Sequence, residues 1–374
     1  MIKEQLKFVF KQFEHPGEFQ SYEELASGHI NDTYLIATTE KTFFVLQRIN
    51  EGVFKDVPGL IANKVNVSKH LQQKLNYLPE SELKRRVLSF VNTIEGKYYY
   101  YDTDGNYWNM MIYIGDSLTF ETVNNEKIAY EGGKLFGEFL NLTSDFDATK
   151  LTEVIPNFHN MKFRYSQFDD ALKNASFQRV EKAKCYIKLV EDLKGEMHIL
   201  QNLKDAGEIK LRVTHNDTKI SNALFDLDGK GLCVIDTDTV MPGIVHYDFG
   251  DAIRTICNTA AEDEKNLDLV NFNLAYYKAY VKGFLEKMNG SLSIIEIKHL
   301  PLGAKTTIFI MGLRFLTDFL NGDIYYKTEY PEHNLDRAKN QFKLIESITD
   351  KYKEMEIPSP LNKGEGVETF KNNF

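Results

Sequence analysis

The spacing of apolar residues alternates between helical and strand-like along the chain, and this predicts the order of its elements. Residues 2–13 repeat apolar side chains every three or four positions, as in an amphipathic helix, and the pair Pro16–Gly17 ends that helix. Residues 18–49 and 86–114 are rich in aromatic and β-branched residues, which predicts strands. Between them, residues 58–77 have the helical period again.

The rest of the chain predicts mainly helices. Helical periodicity covers residues 124–141, 177–205, 265–287, 292–320 and 334–355, and a shorter helix begins near Tyr247. A chain of 374 residues is long for one domain, so two lobes are the expected organisation.

Composition and charge limit the functions that the chain can have. Its hydrophobic fraction of 43% and charged fraction of 26% are ordinary for a soluble globular protein. A net charge of −9 argues against nucleic acid as a partner, and no apolar run approaches the ~18 residues of a membrane span. Cys185, Cys233 and Cys257 are too widely spaced for a zinc or dithiol motif. Few cysteines and a charged start predict a cytoplasmic protein.

A polar stretch around residue 217 carries the strongest chemical signal. His215 precedes Asp217 by two positions, Asn222 follows it by five, and the apolar strand 232–235 then leads into Asp236. In a kinase catalytic loop with this spacing, the aspartate accepts or orients the proton of the acceptor hydroxyl, and the asparagine and a later aspartate ligate magnesium. The alternative is a polar loop in which Asp217 caps a helix and Asp236 ends a strand.

Several sequence blocks carry a family resemblance. Thr214–Lys219, Ile235–Gly243 and Tyr247–Arg254 resemble the N-acetylhexosamine 1-kinases, which belong to the aminoglycoside phosphotransferase and choline kinase superfamily. The string Asp-Thr-Asp-Thr-Val-Met-Pro-Gly in the second block is more family-specific than the superfamily signature. Further similar stretches are Gly28–Leu35, Gly312–Tyr326 and Glu332–Arg337. The resemblance therefore extends from near residue 25 to near residue 350.

The resemblance implies a two-lobe, protein-kinase-like α+β fold. A small β-rich N-lobe over residues 1–114 is expected to bind the nucleotide. A larger helical C-lobe over residues 115–356 is expected to carry the catalytic loop, the metal ligands and the acceptor site. Residues 357–374 are expected to form a loose tail.

The resemblance also implies roles around the catalytic loop. Asp217 takes or orients the proton of a sugar's anomeric hydroxyl, and Lys219 reaches the γ-phosphate of ATP. Asn222 and Asp236 hold Mg²⁺. Three further residues are expected to support these groups from behind, namely His215, Asp238 and Asp248.

The nucleotide is expected to bind to the N-lobe. A turn of small residues, Ala26–Thr33, lets backbone N–H groups approach phosphates. The candidate nucleotide contacts are Gly28, His29, Asn31, Thr33, Gln47, Ile112 and Ile114. The strand 43–49 has no lysine for the phosphates, and Gln47 or Arg48 occupies that region instead. Residues 58–77 have no acidic partner for such a lysine, which leaves open what neutralises the α- and β-phosphates.

Arg314 and Tyr325 are the implied acceptor-binding residues. Arg314 lies among apolar neighbours, so it needs a partner, either Asp318 four positions on or an acceptor hydroxyl or carbonyl. The expected function is phosphoryl transfer from Mg-ATP to an N-acetylhexosamine, by a monomer or weak homodimer with no nucleic-acid or membrane partner. The alternatives are another small alcohol as acceptor, a nucleotide-binding pseudokinase, and a structural protein that does not bind ATP.

Overall fold

The computed structural model describes residues 2–25, 30–288 and 290–358. Its helices are α1 (Ile2–Phe10), α2 (Val57–Lys74), α3 (Glu80–Arg86), α4 (Glu126–Leu142), α5 (Met161–Asn174), α6 (Phe177–Met197), α7 (Ile199–Asp205), α8 (Val245–Ile256), α9 (Leu274–Met288), α10 (Ile294–Lys298), α11 (Leu300–Leu320) and α12 (His333–Met355). Its strands are β1 (Phe19–Glu24), β2 (Asp32–Thr38), β3 (Phe43–Ile49), β4 (Tyr100–Tyr101), β5 (Tyr107–Ile112), β6 (Arg212–Thr214), β7 (Ala223–Phe225), β8 (Gly231–Val234) and β9 (Met241–Gly243). These elements confirm the predicted α+β class, with a small sheet early in the chain and a larger helical part after it.

The chain divides into two compact units, each assembled from separate segments. The first comprises Met1–Thr119, Leu142–Pro156 and Asn222–Pro242, and the second comprises Phe120–Asn141, Asn157–Ser221 and Gly243–Phe374. The first unit therefore takes up two later segments in addition to the residues predicted as the N-lobe.

The first unit is built on one antiparallel sheet with the strand order β1-β2-β3-β5-β4. Leu6, Val9 and Phe10 of α1 form a buried cluster with Ile36 and Trp108 of the sheet. Burying one such side chain contributes about 1.5–3 kcal/mol. The amphipathic period of residues 2–13 is explained by this contact, because its apolar side covers the sheet.

The pairing of β2 with β3 fixes which side chains share a face. Thr33 lies opposite Gln47, and Asp32 lies opposite Arg48. Because side chains alternate along a strand, Gln47 and Arg48 point to opposite faces of the sheet. Gln47 is buried, whereas the partly exposed Arg48 donates through Nε to Asp32 Oδ2 at 2.7 Å.

The second unit is organised around α11, which packs against α5, α6, α8 and α12. Nearly all of its residues are buried, and Pro301 occupies its first turn, where a missing N–H costs nothing. The short helix before it begins with a capping box between Ser293 and Glu296, and Glu296 also forms a buried ion pair with Arg212 at 3.0 Å. None of the helices in the three described ranges combines the length and apolar content of a membrane span.

Glycines let α4 and α9 approach each other closely in the second unit. A Cβ atom on Gly133 would lie 2.2 Å from the carbonyl oxygen of Tyr280, and one on Gly283 would lie 2.1 Å from that of Tyr130. Real Cβ atoms essentially never come that close to a backbone oxygen. Any larger residue at either position would therefore force the two helices apart.

Several element boundaries predicted from the sequence were wrong. Helix α3 was not predicted, and of the strands predicted over residues 86–114 only β4 and β5 form. The helix predicted from residue 265 begins only at Leu274, and the one predicted over 292–320 is divided at His299 because Pro301 fits only the first turn of a new helix.

Candidate active site

The loop that follows β6 is held by Asp248 of α8. The carboxylate of Asp248 accepts the backbone N–H groups of His215 and Asn216, both at 2.7 Å, and its carbonyl oxygen accepts the Thr218 hydroxyl at 2.5 Å. Asn216 has a φ of 63°, in the left-handed region that asparagine tolerates better than most residues. These bonds fix the backbone immediately before Asp217, which is the geometry that a bracing residue requires.

Burial shifts the pKa of the Asp248 carboxyl group. Asp248 is 1% exposed. Burial raises its pKa to about 6, although the neighbouring His215 and the two backbone N–H bonds oppose the shift. At neutral pH the carboxylate is therefore mostly ionised, as an acceptor of two N–H groups should be.

Asp217 itself remains accessible within the second unit. Its side chain is 30% exposed and lies 3.2 Å from the ammonium of Lys219, whose side chain is 29% exposed. The buried His215 accepts the backbone N–H of Asp217 through Nδ1 at 3.3 Å. The loop thus presents one carboxylate and one ammonium together on a rigid backbone.

A second charged network lies beside Asp217 and involves residues that the sequence reasoning did not single out. Arg254 donates to Asp251 Oδ1 at 3.0 Å and to Glu262 Oε1 at 2.8 Å. Burial raises the pKa of Asp251; Arg254 opposes this shift and the charge of Asp217 adds to it. The charge of Asp217 therefore acts on the buried carboxylate of Asp251, whose negative charge is compensated by Arg254.

The two predicted metal ligands lie in the first unit, at one end of the β7–β8 hairpin. Ala223 pairs with Val234, and the N–H of Ile235 donates to the carbonyl oxygen of Asn222 at 2.9 Å. This register sets Asn222 close to Asp236, which has a φ of 56°. An amide oxygen and a carboxylate are the hard oxygen donors that Mg²⁺ prefers, so the pair fits that ion. Over the described ranges, no group of three or more His, Cys, Asp or Glu side chains has the arrangement of a metal site.

Asp238 belongs to a buried polar cluster of the first unit. Its Oδ2 accepts Asn31 Nδ2 at 2.5 Å and Gln47 Nε2 at 3.2 Å, and its Oδ1 forms an ion pair with Lys64 of α2. The ammonium of Lys64 also donates to Gln47 Oε1 at 3.0 Å. The sequence reasoning named Asn31, Gln47 and Asp238 but not Lys64, the cation that joins them.

The other predicted nucleotide contacts are distributed over the first unit. Gly28 and His29 lie outside the described residues. Thr33 lies directly opposite Gln47 on β2. In the predicted hinge, the N–H of Ile112 donates to Ser89 O at 2.9 Å, and Ile114 O accepts the Ser117 hydroxyl at 2.9 Å. Two backbone groups of the hinge are therefore engaged within the chain.

Arg314 on α11 packs between two aromatic rings. Its guanidinium carbon lies 5.4 Å from the ring centroid of Phe158 and 5.5 Å from that of Tyr326. Tyr325, the tyrosine predicted to bind the acceptor, packs edge-on against Tyr326 at 4.8 Å and is 68% exposed. The sequence reasoning missed Tyr326, the tyrosine that Arg314 contacts.

Asp318 positions this tyrosine pair and leaves Arg314 to other partners. Its carboxylate accepts the N–H groups of Ile324, Tyr325 and Tyr326 at 2.8–3.0 Å and the Asn334 amide at 2.9 Å. These four bonds replace the local pairing with Arg314 that the spacing of four residues allowed.

A second arginine and a histidine lie in the same region. Arg164 donates to Phe158 O at 2.6 and 3.1 Å, and burial and then the nearby Arg314 lower its pKa to about 10. His159 stacks on Tyr247 at 4.6 Å, and burial, followed by Arg164 and Arg314, lowers its pKa well below the usual range. Both ring nitrogens of His159 and the Tyr326 hydroxyl are buried without a hydrogen-bond partner among the described residues. These groups therefore offer hydrogen bonds that no described residue takes up.

Comparison with protein families decides the class of this chain. Residues 21–280 match the model of the phosphotransferase enzyme family. The chain belongs to the phosphotransferase enzyme family. In this phosphotransferase the match covers both the sheet that carries Gln47 and the loop that carries Asp217.

Solved structures show the same fold. The phosphotransferase is similar to an aminoglycoside phosphotransferase from Alicyclobacillus acidocaldarius, with a TM-score of 0.60 at 12% identity over 93% of this chain and 96% of that one. It is similar to an amicoumacin kinase in complex with AMP-PNP and Ca²⁺ (TM-score 0.59, 12% identity, 94% of each chain). It is also similar to a choline kinase from Cryptosporidium parvum (TM-score 0.58, 14% identity, 95% and 97%). These likenesses confirm the predicted kinase-like fold.

Proposed function

We propose that this phosphotransferase transfers the γ-phosphoryl group of Mg-ATP to the anomeric hydroxyl of an N-acetylhexosamine, giving the sugar 1-phosphate and ADP. The observation that carries the proposal is the accessible Asp217 on a loop braced by Asp248. The family-specific string from Asp236 to Gly243 supports the choice of acceptor.

The reaction needs one base and compensation of negative charge. The anomeric oxygen attacks the γ-phosphorus, the bond from that phosphorus to the bridging oxygen of ADP breaks, and Asp217 takes the proton. An anomeric hydroxyl is more acidic than other sugar hydroxyls, so an ordinary carboxylate suffices as the base. Lys219, 3.2 Å from Asp217, stabilises charge on the transferred phosphoryl group.

Asn222 and Asp236 would hold the magnesium ion. Bound there, Mg²⁺ would neutralise phosphate charge and orient the γ-phosphoryl group. The oxygen donors that the β7–β8 register sets close together support this assignment. The similarity to an amicoumacin kinase in complex with AMP-PNP and Ca²⁺ supports a nucleoside triphosphate as the donor.

The charge around Arg314 favours an uncharged acceptor with carbonyl and hydroxyl groups. Two like charges about 6 Å apart repel each other by about 3 kcal/mol at an effective dielectric constant of about 20. A cationic acceptor beside Arg164 and Arg314 would meet this repulsion twice. An acetamido carbonyl and ring hydroxyls would instead accept hydrogen bonds from the guanidinium groups, from neutral His159 and from Tyr326.

The second candidate is another small alcohol on the same fold. The names of two similar structures, an aminoglycoside phosphotransferase and a choline kinase, refer to cationic acceptors. A fold hosts many acceptors, so these likenesses keep that candidate open. The two neighbouring arginines, Arg164 and Arg314, argue against a cationic acceptor. No carboxylate among the described residues forms an ion pair with either one, so their positive charge would repel such an acceptor.

A coupled assay of ADP release tests the proposal directly. GlcNAc, GalNAc, glucose, galactose, choline and kanamycin would each be offered with Mg-ATP, and phosphorus NMR would identify the product. We expect an anomeric phosphate from an N-acetylhexosamine, and no turnover when EDTA removes the metal. Turnover only with choline or kanamycin would overturn the acceptor. ATP binding without any turnover would favour the pseudokinase.

A further inference from the structure

A buried lysine on α2 lies where the first unit is expected to need a cation. Lys64 is 2% exposed, although lysine is almost never fully buried unless it is paired. It lies in one cluster with Asn31, Gln47 and Asp238, which are also buried. Strand β3 has no lysine at all, so Lys64 is the cation of this cluster.

The cluster is closely hydrogen-bonded. The ammonium of Lys64 contacts Asp238 Oδ1 and donates to Gln47 Oε1 at 3.0 Å. The other end of the Gln47 amide donates to Asp238 Oδ2 at 3.2 Å, and Asn31 donates to the same oxygen at 2.5 Å. Gln47 therefore connects the cation with the carboxylate, and its side chain presents an oxygen to the ammonium.

Helix α2 is fixed in position by the residue next to Lys64. Asn63 Nδ2 donates to the carbonyl oxygens of Thr152 and Val240, both at 2.8 Å, and its Oδ1 accepts the N–H of Thr152 at 2.9 Å. Asp56 caps the start of the helix by accepting the N–H of Gly59 at 2.9 Å. The ammonium of Lys64 is consequently preorganised by the fold, and ligand binding would not have to order it.

The neighbours of Lys64 are residues expected at the nucleotide. Gln47 occupies the region of β3 where a kinase-like lobe carries its phosphate-binding lysine. Asn31 lies within the predicted phosphate loop, Ala26–Thr33, and shares the Asp238 carboxylate with Lys64. The cation expected on the strand is thus present beside Gln47, but helix α2 supplies it.

We propose that Lys64 binds the α- and β-phosphates of the nucleotide in place of a strand lysine, with Gln47 and Asp238 holding its ammonium in position. This rests on the proposed function, because it takes ATP as the donor. A compact ammonium suits this task, since it acts as a point charge toward phosphate oxygens. In the usual kinase arrangement the lysine is on the strand and its acidic partner is on the helix. Here the lysine is on helix α2, and strand β3 carries the amide of Gln47.

A purely structural role for Lys64 makes a different prediction. Removing one partner of a buried ion pair leaves an uncompensated charge and destabilises the fold. Such damage would weaken the binding of every ligand to a similar degree. A phosphate-binding role depends on the phosphates, so it separates ATP and ADP from adenosine, which has none.

The test is isothermal titration of ATP, ADP and adenosine into the full chain and its variants. For Lys64→Met we expect roughly 10- to 100-fold weaker binding of ATP and ADP, as for loss of one charge-assisted contact. Adenosine affinity should stay within about twofold. The matched control is Lys69→Met on the same helix, because Lys69 is exposed and should leave all three affinities unchanged.

Two further variants keep the test decisive if Lys64→Met folds poorly. In Lys64→Met with Asp238→Asn, both charges of the pair are removed, so no uncompensated charge remains and the selective loss should persist. In Gln47→Lys with Lys64→Gln, the ammonium returns to the strand, and ATP affinity should recover to within about fivefold of the wild type.

Three results would overturn the inference. A folded Lys64→Met protein that binds ATP within threefold of the wild type would exclude Lys64 from the phosphates. An equal loss for adenosine and ATP would assign Lys64 a structural role. A wild-type protein that binds no nucleotide would remove the proposed function and this inference with it, whereas the first two results leave the proposed function intact.

Discussion

The Lys64 cluster of the first unit and the Arg164–Arg314 pair of the second unit differ in how their positive charge is compensated. In the first unit, Lys64 contacts the carboxylate of Asp238 and the amide of Gln47. In the second, burial and the neighbouring Arg314 together lower the pKa of Arg164 to about 10. Within the described ranges, neither Arg164 nor Arg314 forms an ion pair with a carboxylate. Arg164 donates to the carbonyl oxygen of Phe158 and to the side chain of Gln167.

The two clusters differ in how much they indicate about a ligand. A paired cation such as Lys64 is satisfied without a ligand. Its proposed role in phosphate binding can therefore be distinguished from structural support only by comparing ligands with and without phosphates. Two adjacent guanidinium groups repel each other, and a ligand rich in oxygen acceptors would relieve that repulsion. The arginine pair therefore indicates the acceptor's chemistry more directly than the lysine cluster indicates the nucleotide's.

The largest expected effect separates catalysis from both cation clusters. Asp217→Asn should lower kcat by roughly 100- to 10,000-fold, because the variant loses the base proposed above. Nucleotide affinity should remain nearly unchanged, since the substitution leaves the Lys64 cluster intact. Steady-state kinetics and a parallel ATP titration would measure the two quantities.

The control for this variant is Asp104→Asn, which changes an exposed carboxylate in the turn before β5. It should retain wild-type turnover. If Asp217→Asn keeps kcat within tenfold of the wild type, another group takes the proton and the proposed role of Asp217 is lost.

The next largest effect tests the arginine pair. Arg314→Gln should raise the KM for the sugar by roughly 10- to 100-fold while the KM for ATP stays within about threefold, because the lost hydrogen bonds are charge-assisted. Arg314→Lys keeps the charge but not the planar fork, and it should recover only part of the affinity. The surface variant Lys278→Gln on α9 is the control.

A change in the KM for ATP would contradict this assignment of Arg314. If Arg314→Gln raised the KM for ATP and left that for the sugar unchanged, Arg314 would belong to the nucleotide side. The screen of acceptors described above adds a second criterion. If Arg314 lies at the acceptor, Arg314→Gln should phosphorylate cationic alcohols better than the wild type does, because one repelling charge is removed.

Local patterns in the sequence predicted the parts of the molecule that depend on local periodicity. The alternation of β3 placed Gln47 and Arg48 on opposite faces, and the period of residues 2–13 gave the apolar side of α1. The break at His299 was missed although Pro301 marks it, because the apolar run continues across the proline. Propensity alone does not decide such a boundary.

Contacts between distant residues were beyond the sequence. Lys64 reads as one of several lysines on a helix, and its burial becomes understandable only through Asp238, which is 174 positions away. Arg164 and Tyr326 likewise meet around Arg314 through tertiary packing. A single sequence holds no record of such pairs, so only the structure shows which charged residues lie together in each cluster.

The smallest expected effect is a pH dependence that arises from the arginine cluster. Burial, followed by Arg164 and Arg314, lowers the pKa of His159 well below 6.5 in the folded protein. The unfolded chain takes up a proton near pH 6.5 and the folded protein does not, so stability is present above that pH and lost as pH falls below it. The unfolding free energy should therefore fall between pH 7.5 and pH 5.5, because only the unfolded chain takes up this proton.

Urea unfolding of the wild type and of His159→Phe at these two pH values measures that loss. The variant keeps an aromatic ring against Tyr247 and removes the titrating group. It should therefore lose less stability than the wild type does between pH 7.5 and pH 5.5. His246 serves as the comparison, because its pKa is lowered to about 4 mainly by burial, against the opposing effect of Glu296, and not by Arg164 or Arg314. In Arg314→Gln the pKa of His159 should rise while that of His246 stays unchanged, which NMR titration of the ring protons would resolve. Equal shifts of both would mean that burial, and not the arginine pair, distinguishes this region.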